Sequence, residues 1–278
     1  MSNFRKLTSN VVIVTPEEDT LNMAGITLRN YCISIDCGRT LEHGRLLYER
    51  LNKHFSVPIK YLILTHSHTD HRGGIKAFKD TKIVASEDAI KLMPKNIREG
   101  KMQKLIVKSG GTLTLQDDDL SIEIHHVGGH TLGSSFIFSP QERIIFAGDL
   151  LFSGFDPPYP GCSKDVNPEK WITAIESMVK LDVEIVALGH GPELMGKTDL
   201  INYLEFYRSI RKLIIDSIAN NIRWQALEAP ETTPRYDLLQ KIYDFSTEQS
   251  TLDWDHIGKW RRNSFLKNWF DFYKNLQK

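Results

Sequence analysis

Thr65-His66-Ser67-His68-Thr69-Asp70-His71-Arg72-Gly73-Gly74 follows the apolar run Leu62-Ile63-Leu64 and leads into a short helical stretch at Ile75–Phe78. Three imidazoles and a carboxylate therefore sit where a strand gives way to a loop, the place where α/β folds put their chemistry. On extended backbone, residues two apart project to the same side, so His66 and His68 can reach one metal ion. Asp70 and His71 lie beyond the turn and can face a second. Gly73 and Gly74 suit a close backbone approach at a helix entry. A lone histidine here would read as a solvated or packed side chain. Four ligand-type residues in six positions read as a metal site.

Three later segments repeat one pattern: Gly128-Gly129-His130-Thr131, Phe146-Ala147-Gly148-Asp149 and Ala187-Leu188-Gly189-His190-Gly191. In each, a glycine directly precedes a histidine or aspartate at the end of an apolar run. Strand ends along one edge of a sheet can converge on one point, and borderline divalent metals accept imidazole nitrogen together with carboxylate oxygen.

Working outward, the apolar runs at Val11–Val14, Tyr31–Ile35, Tyr61–Leu64 and Ile83–Ala85 read as strands. Leu46, Leu47 and Leu51 give Leu41–Lys53 helical spacing, completing a strand–helix–strand unit. Residues 105–126 read as antiparallel strands turning at Ser109-Gly110-Gly111 and Asp117-Asp118-Asp119. Phe136–Phe138 and Ile144–Phe146 read as a further hairpin. Asn167-Pro168 starts a helix reaching about Lys180, with Asn as cap and Pro in the first turn. Val183–Leu188 reads as a last strand. Beyond Gly196 the period turns helical over 198–220 and again over about Lys259–Leu276. The expected organisation is a catalytic domain over 1–196 and a helical C-terminal region over 197–278, packed on the core or on a partner subunit.

The chain has 278 residues, with 35 basic and 35 acidic side chains. That balance supports neither nucleic acid nor an anionic membrane surface as partner. No apolar run approaches the roughly 18 residues of a membrane span. Met1–Lys6 carries basic residues without an apolar stretch behind them, which reads as no secretory leader. Three cysteines, Cys32, Cys37 and Cys162, make no disulfide framework. The expected location is the reducing cytoplasm.

Taken together, His66-x-His68-x-Asp70-His71, His130, Asp149, His190 and an early Asp36 in Ile33-Ser34-Ile35-Asp36-Cys37-Gly38 resemble the metallo-β-lactamase-fold hydrolase superfamily over roughly residues 10–195. The resemblance implies an α/β fold, an αββα sandwich with a two-metal site at one edge, here carrying a helical C-terminal appendage. It implies His66, His68 and His130 on the first metal, Asp70, His71 and His190 on the second, and Asp149 bridging both. Asp36 would support the ligands from behind. The ions are expected to be zinc, with iron and manganese also compatible with such donors. Two such ions share and acidify a hydroxide, which makes a nucleophile without serine or cysteine. Asp70 is the expected catalytic residue, orienting that hydroxide or handling its proton.

Within the superfamily, the carboxylate of Asp149 argues against true lactamases, whose motif has another residue there. Gly148-Asp149-Leu150-Leu151-Phe152 is similar to the glyoxalase II and thioesterase-like branch. The expected reaction is therefore hydrolysis of a carbonyl ester or thioester. Lactonases often carry Tyr where Phe152 stands. An iron-dependent persulfide dioxygenase, a lactonase and a phosphodiesterase or nuclease of the same fold remain as alternatives. Gly161-Cys162-Ser163-Lys164 is similar to the glutathione-binding loop of glyoxalase II but falls later. Lys164 and Tyr159 are accordingly candidate contacts for a small-molecule substrate, an anionic thioester among them. The C-terminal aromatics Phe265, Trp269, Phe272 and Leu276 share a helical face that suits core packing, a pocket wall or a homodimer surface. His43, His54, His125, His126 and His256 have no ligand context.

Overall fold

The computed structural model describes residues 2–17, 19–152, 165–191, 194–221 and 259–276. A first sheet takes seven strands in chain order: β1 (Ser2–Lys6), β2 (Val11–Pro16), β3 (Met23–Thr27), β4 (Cys32–Ile35), β5 (Ile59–Ile63), β6 (Lys82–Ser86) and β7 (Lys104–Val107). Pairing is antiparallel from β1 to β4 and parallel from β4 to β7. The second sheet has β8 (Thr112–Asp117), β9 (Leu120–His126), β10 (Ser135–Ser139), β11 (Ile144–Gly148), β12 (Ile185–Leu188) and β13 (Leu194–Met195), in the order β13-β12-β11-β10-β9-β8. Only β11 and β12 run parallel in it.

Parallel neighbours need a crossover, and helices supply it. α1 (Leu41–His54) joins β4 to β5. α2 (Thr69–Arg72) and a 3₁₀ turn at Ile75–Ala77 join β5 to β6. α3 (Glu87–Leu92) and α4 (Lys95–Arg98) join β6 to β7, and α5 (Pro168–Val179) lies between β11 and β12. Side-chain oxygens cap three of them: Thr40 accepts from His43 N, Ser86 from Ala89 N and Asn167 from Lys170 N. α6 (Lys197–Ala219) and α7 (Lys259–Leu276) follow the second sheet.

Strand alternation builds the layers. Val11 and Ile13 of β2, Ile33 and Ile35 of β4, Ile137 of β10 and Ala187 of β12 point inward into one core between the sheets. Their neighbours Val12, Val14 and Cys32 turn outward onto the α1 side. Phe136, Ile145 and Val186 turn outward to meet α5, α6 and α7. Both faces of each central strand are thus buried, as a helix–sheet–sheet–helix sandwich requires. In the last layer Trp269, Phe270 and Tyr273 of α7 are buried beside Trp171 and Tyr207, while Leu276 is exposed.

One expected pairing is corrected. Leu105–Val107 does not form a hairpin across Ser109-Gly110-Gly111 with the following strand. β7 instead pairs in parallel with β6, and the glycine turn carries the chain across to the second sheet, where β8 pairs with β9. Turn residues set a chain reversal but not the strand that receives it. β1, β3, β13, α2, α3 and α4 were outside the expected elements.

Candidate metal centre

The residues of the sequence motifs lie just beyond the C-terminal ends of strands, in loops and in helix α2, along one edge of the sandwich. β5 delivers Thr65, His66 and His68, and α2 adds Asp70 and His71. The loop after β9 presents His130, Asp149 directly follows β11, and His190 follows β12 by two residues. Two groups result, His66, His68, His130 and Asp149 in one and Asp70, His71 and His190 in the other, with the donor atoms of each group within 4.8 Å of one another.

Asp149 stands between the two groups, one oxygen toward each. Its Oδ2 lies 3.7 Å from His66 Nε2 and 3.6 Å from His130 Nε2. Its Oδ1 lies 3.0 Å from His71 Nε2 and 3.6 Å from His190 Nε2. His130 Nε2 is 3.1 Å from His68 Nδ1, and His190 Nε2 is 3.4 Å from Asp70 Oδ2. Donors bound at 2.0–2.2 Å around a tetrahedral zinc are roughly 3.3–3.6 Å apart, so this spacing is that of ligands around an ion.

Buried polar atoms give an independent test. His66 Nε2, His71 Nε2 and Asp149 Oδ1 are inaccessible to solvent and have no hydrogen-bond partner among the described residues. Each such atom costs about 1–3 kcal/mol unless something else satisfies it. All three converge on one space. A pair of divalent cations fits these donors.

Electrostatics agree. Burial holds His66 well below the usual imidazole range and pushes His130 down to about 3, so both keep the lone pair a metal needs. Burial alone would raise Asp149, but His71, His190 and His66 outweigh it and keep the carboxylate ionised. For Asp70, too, burial is overcome, by the His190 contact above all, and the group falls to about 2. His71 is the converse: burial opposes its charge, yet the carboxylates of Asp149 and Asp36 raise it well above the usual value. The surrounding acids demand positive charge, which bound cations would supply.

Asp36 lies behind the two donor groups. Its Oδ1 accepts from Thr65 N at 2.8 Å; its Oδ2 accepts from Thr65 Oγ1 at 2.8 Å and from His71 Nδ1 at 2.8 Å. A carboxylate only accepts, so His71 carries its proton on Nδ1 and turns Nε2 toward Asp149. Thr65 Oγ1, having donated to Asp36, accepts from His66 Nδ1 at 3.0 Å, which fixes the His66 tautomer the same way. One aspartate thereby orients a ligand of each group. It does so from left-handed backbone, at φ 54°, a conformation a non-glycine residue adopts at a cost. Thr65 went unremarked among the sequence motifs, although it directly precedes His66.

The glycines before the ligands also have physical reasons. At Gly148, φ is +53° and a Cβ would lie 2.7 Å from Thr65 Cβ, just past β5 of the other sheet. At Gly189 a Cβ would lie 2.4 Å from Asp149 Oδ1. Gly189→Ala is therefore expected to push Asp149 out of register and weaken metal binding by at least about tenfold, measured by competition with a chromophoric chelator.

Asn22 is a positioning residue the sequence did not reveal. It sits in the apolar run Leu21-Asn22-Met23, and its Nδ2 donates to Leu188 O at 3.1 Å and Gly191 O at 2.7 Å, bracketing His190. Phe152 stacks on the His190 ring, with centroids 5.8 Å apart and planes at 9°. His125 and His126 bind no member of either group: His125 stacks on Phe136, and His126 Nε2 donates to Leu132 O at 2.9 Å. Tyr159, Lys164 and Cys162 fall outside the described residues, as does His256.

Fold and donor set together identify a class, enzymes of the metallo-β-lactamase superfamily with a two-cation site. A family model described as the metallo-beta-lactamase superfamily matches residues 26–190, and the chain belongs to that family. It is 29% identical over 150 residues to a metallo-beta-lactamase type 2 of Bacillus cereus, covering 52% of this chain and 57% of that protein. It is 27% identical over 146 residues to a hydroxyacylglutathione hydrolase of Psychromonas ingrahamii, covering 52% of each. The chain thus spans about half the length of the curated relatives it matches. Among solved structures, a metallo-beta-lactamase from Pontibacter korlensis superposes with a TM-score of 0.61 at 22% identity, over 75% of this chain and 99% of that one. Among the described residues, no helix is long and apolar enough to cross a membrane.

Proposed function

We propose that this protein hydrolyses a carbonyl ester or thioester at a dinuclear divalent-metal centre, in the manner of the glyoxalase II branch. The observation that carries the proposal is Asp149, whose two oxygens face the two groups separately. A carboxylate so placed would serve two ions at once, which favours a dinuclear centre over a mononuclear iron centre built on two histidines and one aspartate. The similarity to hydroxyacylglutathione hydrolases supports the thioester branch.

Bound cations would supply Lewis acidity toward the scissile carbonyl and acidify a water molecule near neutral pH. His66, His68 and His130 would hold one ion, and Asp70, His71 and His190 the other, with Asp149 between them. Asp36 and Thr65 keep the imidazole lone pairs of His66 and His71 aimed at the site. Asp70 is half-buried, and its Oδ2 also lies 4.0 Å from the Arg39 guanidinium. It is the carboxylate at the solvent side of the centre and the group placed to accept a proton from an attacking water.

The test is a substrate panel on protein of measured metal content: a hydroxyacyl-glutathione thioester, a lactone, a β-lactam, a phosphodiester and glutathione persulfide. Thioester turnover is expected to dominate, to vanish on chelation and to return with zinc. Oxygen uptake on the persulfide, or phosphodiester turnover without thioester turnover, would replace this reading with one of its alternatives.

A further inference from the structure

The C-terminal helix α7 follows Gly196 by more than sixty residues in the chain, yet its aromatic side chains lie close behind the metal ligands. Trp171 of α5 is the connection. Its ring meets that of His130 edge-on, with centroids 5.4 Å apart and planes at 68°. Its indole Nε1 donates to Leu150 O at 2.8 Å, directly after Asp149. The backbone at the same helix start is fastened to the same loop, since Asn167 N donates to Gly129 O at 2.9 Å, directly before His130. One side chain and its helix therefore hold the segments of two members of the first ligand group.

Trp171 is in turn held from behind. Tyr207 of α6 meets it edge-on at 5.5 Å, and Trp269 of α7 lies 6.4 Å away and also packs edge-on against Tyr207 at 5.2 Å. Trp171 and Trp269 are both fully buried. A polar clamp fixes α7 in place: Glu169 of α5 accepts from Tyr273 Oη at 2.8 Å and from Arg211 Nε at 2.7 Å. Burial and the Glu169 contact raise the Tyr273 phenol, so it remains a donor. Close-packed interiors transmit a void as displacement of its neighbours, and in aromatic pairs both contact area and orientation carry energy.

We infer that α7 is a working part of the metal centre, with Trp269 and Trp171 acting as positioning residues that seat the His130 and Asp149 segments. The inference rests on the dinuclear reading above. Neither tryptophan touches the reacting atoms. Removing Trp269 leaves room for Trp171 to withdraw, and the donors of the first group spread.

The experiment titrates cobalt(II) into the full-length chain, following the visible d–d absorption and measuring affinity against a chelator. Trp269→Ala is expected to weaken cobalt binding about 10–100-fold, the loss typical of groups that orient ligands from behind, and to change the shape of the absorption. Trp269→Phe is expected to restore most of both. Leu51→Ala, a smaller cavity in a buried cluster on the opposite face of the sandwich, is expected to lower the melting temperature while leaving cobalt binding unchanged. Wild-type cobalt affinity and spectrum in Trp269→Ala, or equal weakening in Leu51→Ala, would overturn the inference. If Trp269→Ala does not fold, Tyr273→Phe is judged by the same readouts, with a smaller loss expected and wild-type binding counting against it. Failure of the unaltered protein to bind cobalt would instead remove the metal-centre reading itself.

Discussion

Alanine in place of Asp149 is expected to reduce bound metal from two ions per chain to one or none, and to lower hydrolysis by more than about 100-fold. Groups that merely orient ligands cost 10–100-fold when removed, so a side chain facing both donor groups should cost more. The loss follows from the geometry of its two oxygens. Oδ2 faces His66 and His130 in the group with His68, while Oδ1 lies 3.0 Å from His71 Nε2, closer to that atom than Asp70 Oδ2 at 3.9 Å. Without it, Asp70 would be the only carboxylate left facing His71 and His190, so the donors of an ion held there would lose half their negative charge. Asp149→Asn separates the two functions, because an amide can offer an oxygen to one group only. One ion per chain is expected for Asn. Elemental analysis after dialysis, paired with turnover of the preferred substrate, decides the matter. Two ions and full activity in Asp149→Ala would end the bridging role.

The second large effect is expected from Asp36→Asn. Asparagine tolerates left-handed backbone at least as well as aspartate, so φ 54° survives the exchange and the hydrogen bonds are isolated. The native carboxylate accepts three hydrogen bonds and donates none. An amide in the same place presents two N–H groups toward Thr65 and His71. His71 can answer only by moving its proton to Nε2, where it occupies the lone pair that faces Asp149. We expect metal affinity to fall about 10–100-fold and stability to fall by about 3 kcal/mol, the upper end for a charge-assisted hydrogen bond. Chelator competition and urea unfolding measure the two separately. Wild-type affinity with reduced stability would show that Asp36 serves the fold and not the ligands.

The metal centre was readable in the sequence because its donors are tied to local signals. His66 to His71 are contiguous, and the later donors each follow a glycine that the packing demands, as at Gly148 and Gly189. Asp36 was reached only by resemblance, since one acid after an apolar run carries no mark of its own. Asn22 and Trp171 were not readable at all. Their importance comes from partners more than a hundred residues away in one case and from a packing layer in the other. The strands missed share a composition that hides them. β1 has a single apolar side chain, Phe4, as an edge strand can, and β3 contains Ala24-Gly25, which favours no extended structure. The β7–β8 connection was misread because a Gly-Gly turn looks alike whether the chain folds back or crosses to another layer.

That crossing divides the coordination shell by chain order. The first sheet, complete by Val107, supplies His66, His68, Asp70 and His71; the second, beginning at Thr112, supplies His130, Asp149 and His190. Ions bound at their junction would rivet the two halves together. Heat resistance should then track free metal concentration, by about 2.7 kcal/mol at a hundredfold excess over the dissociation constant. Starvation for metal would loosen the seam between the halves as well as silence the chemistry, making the cation a clasp for the architecture that presents it.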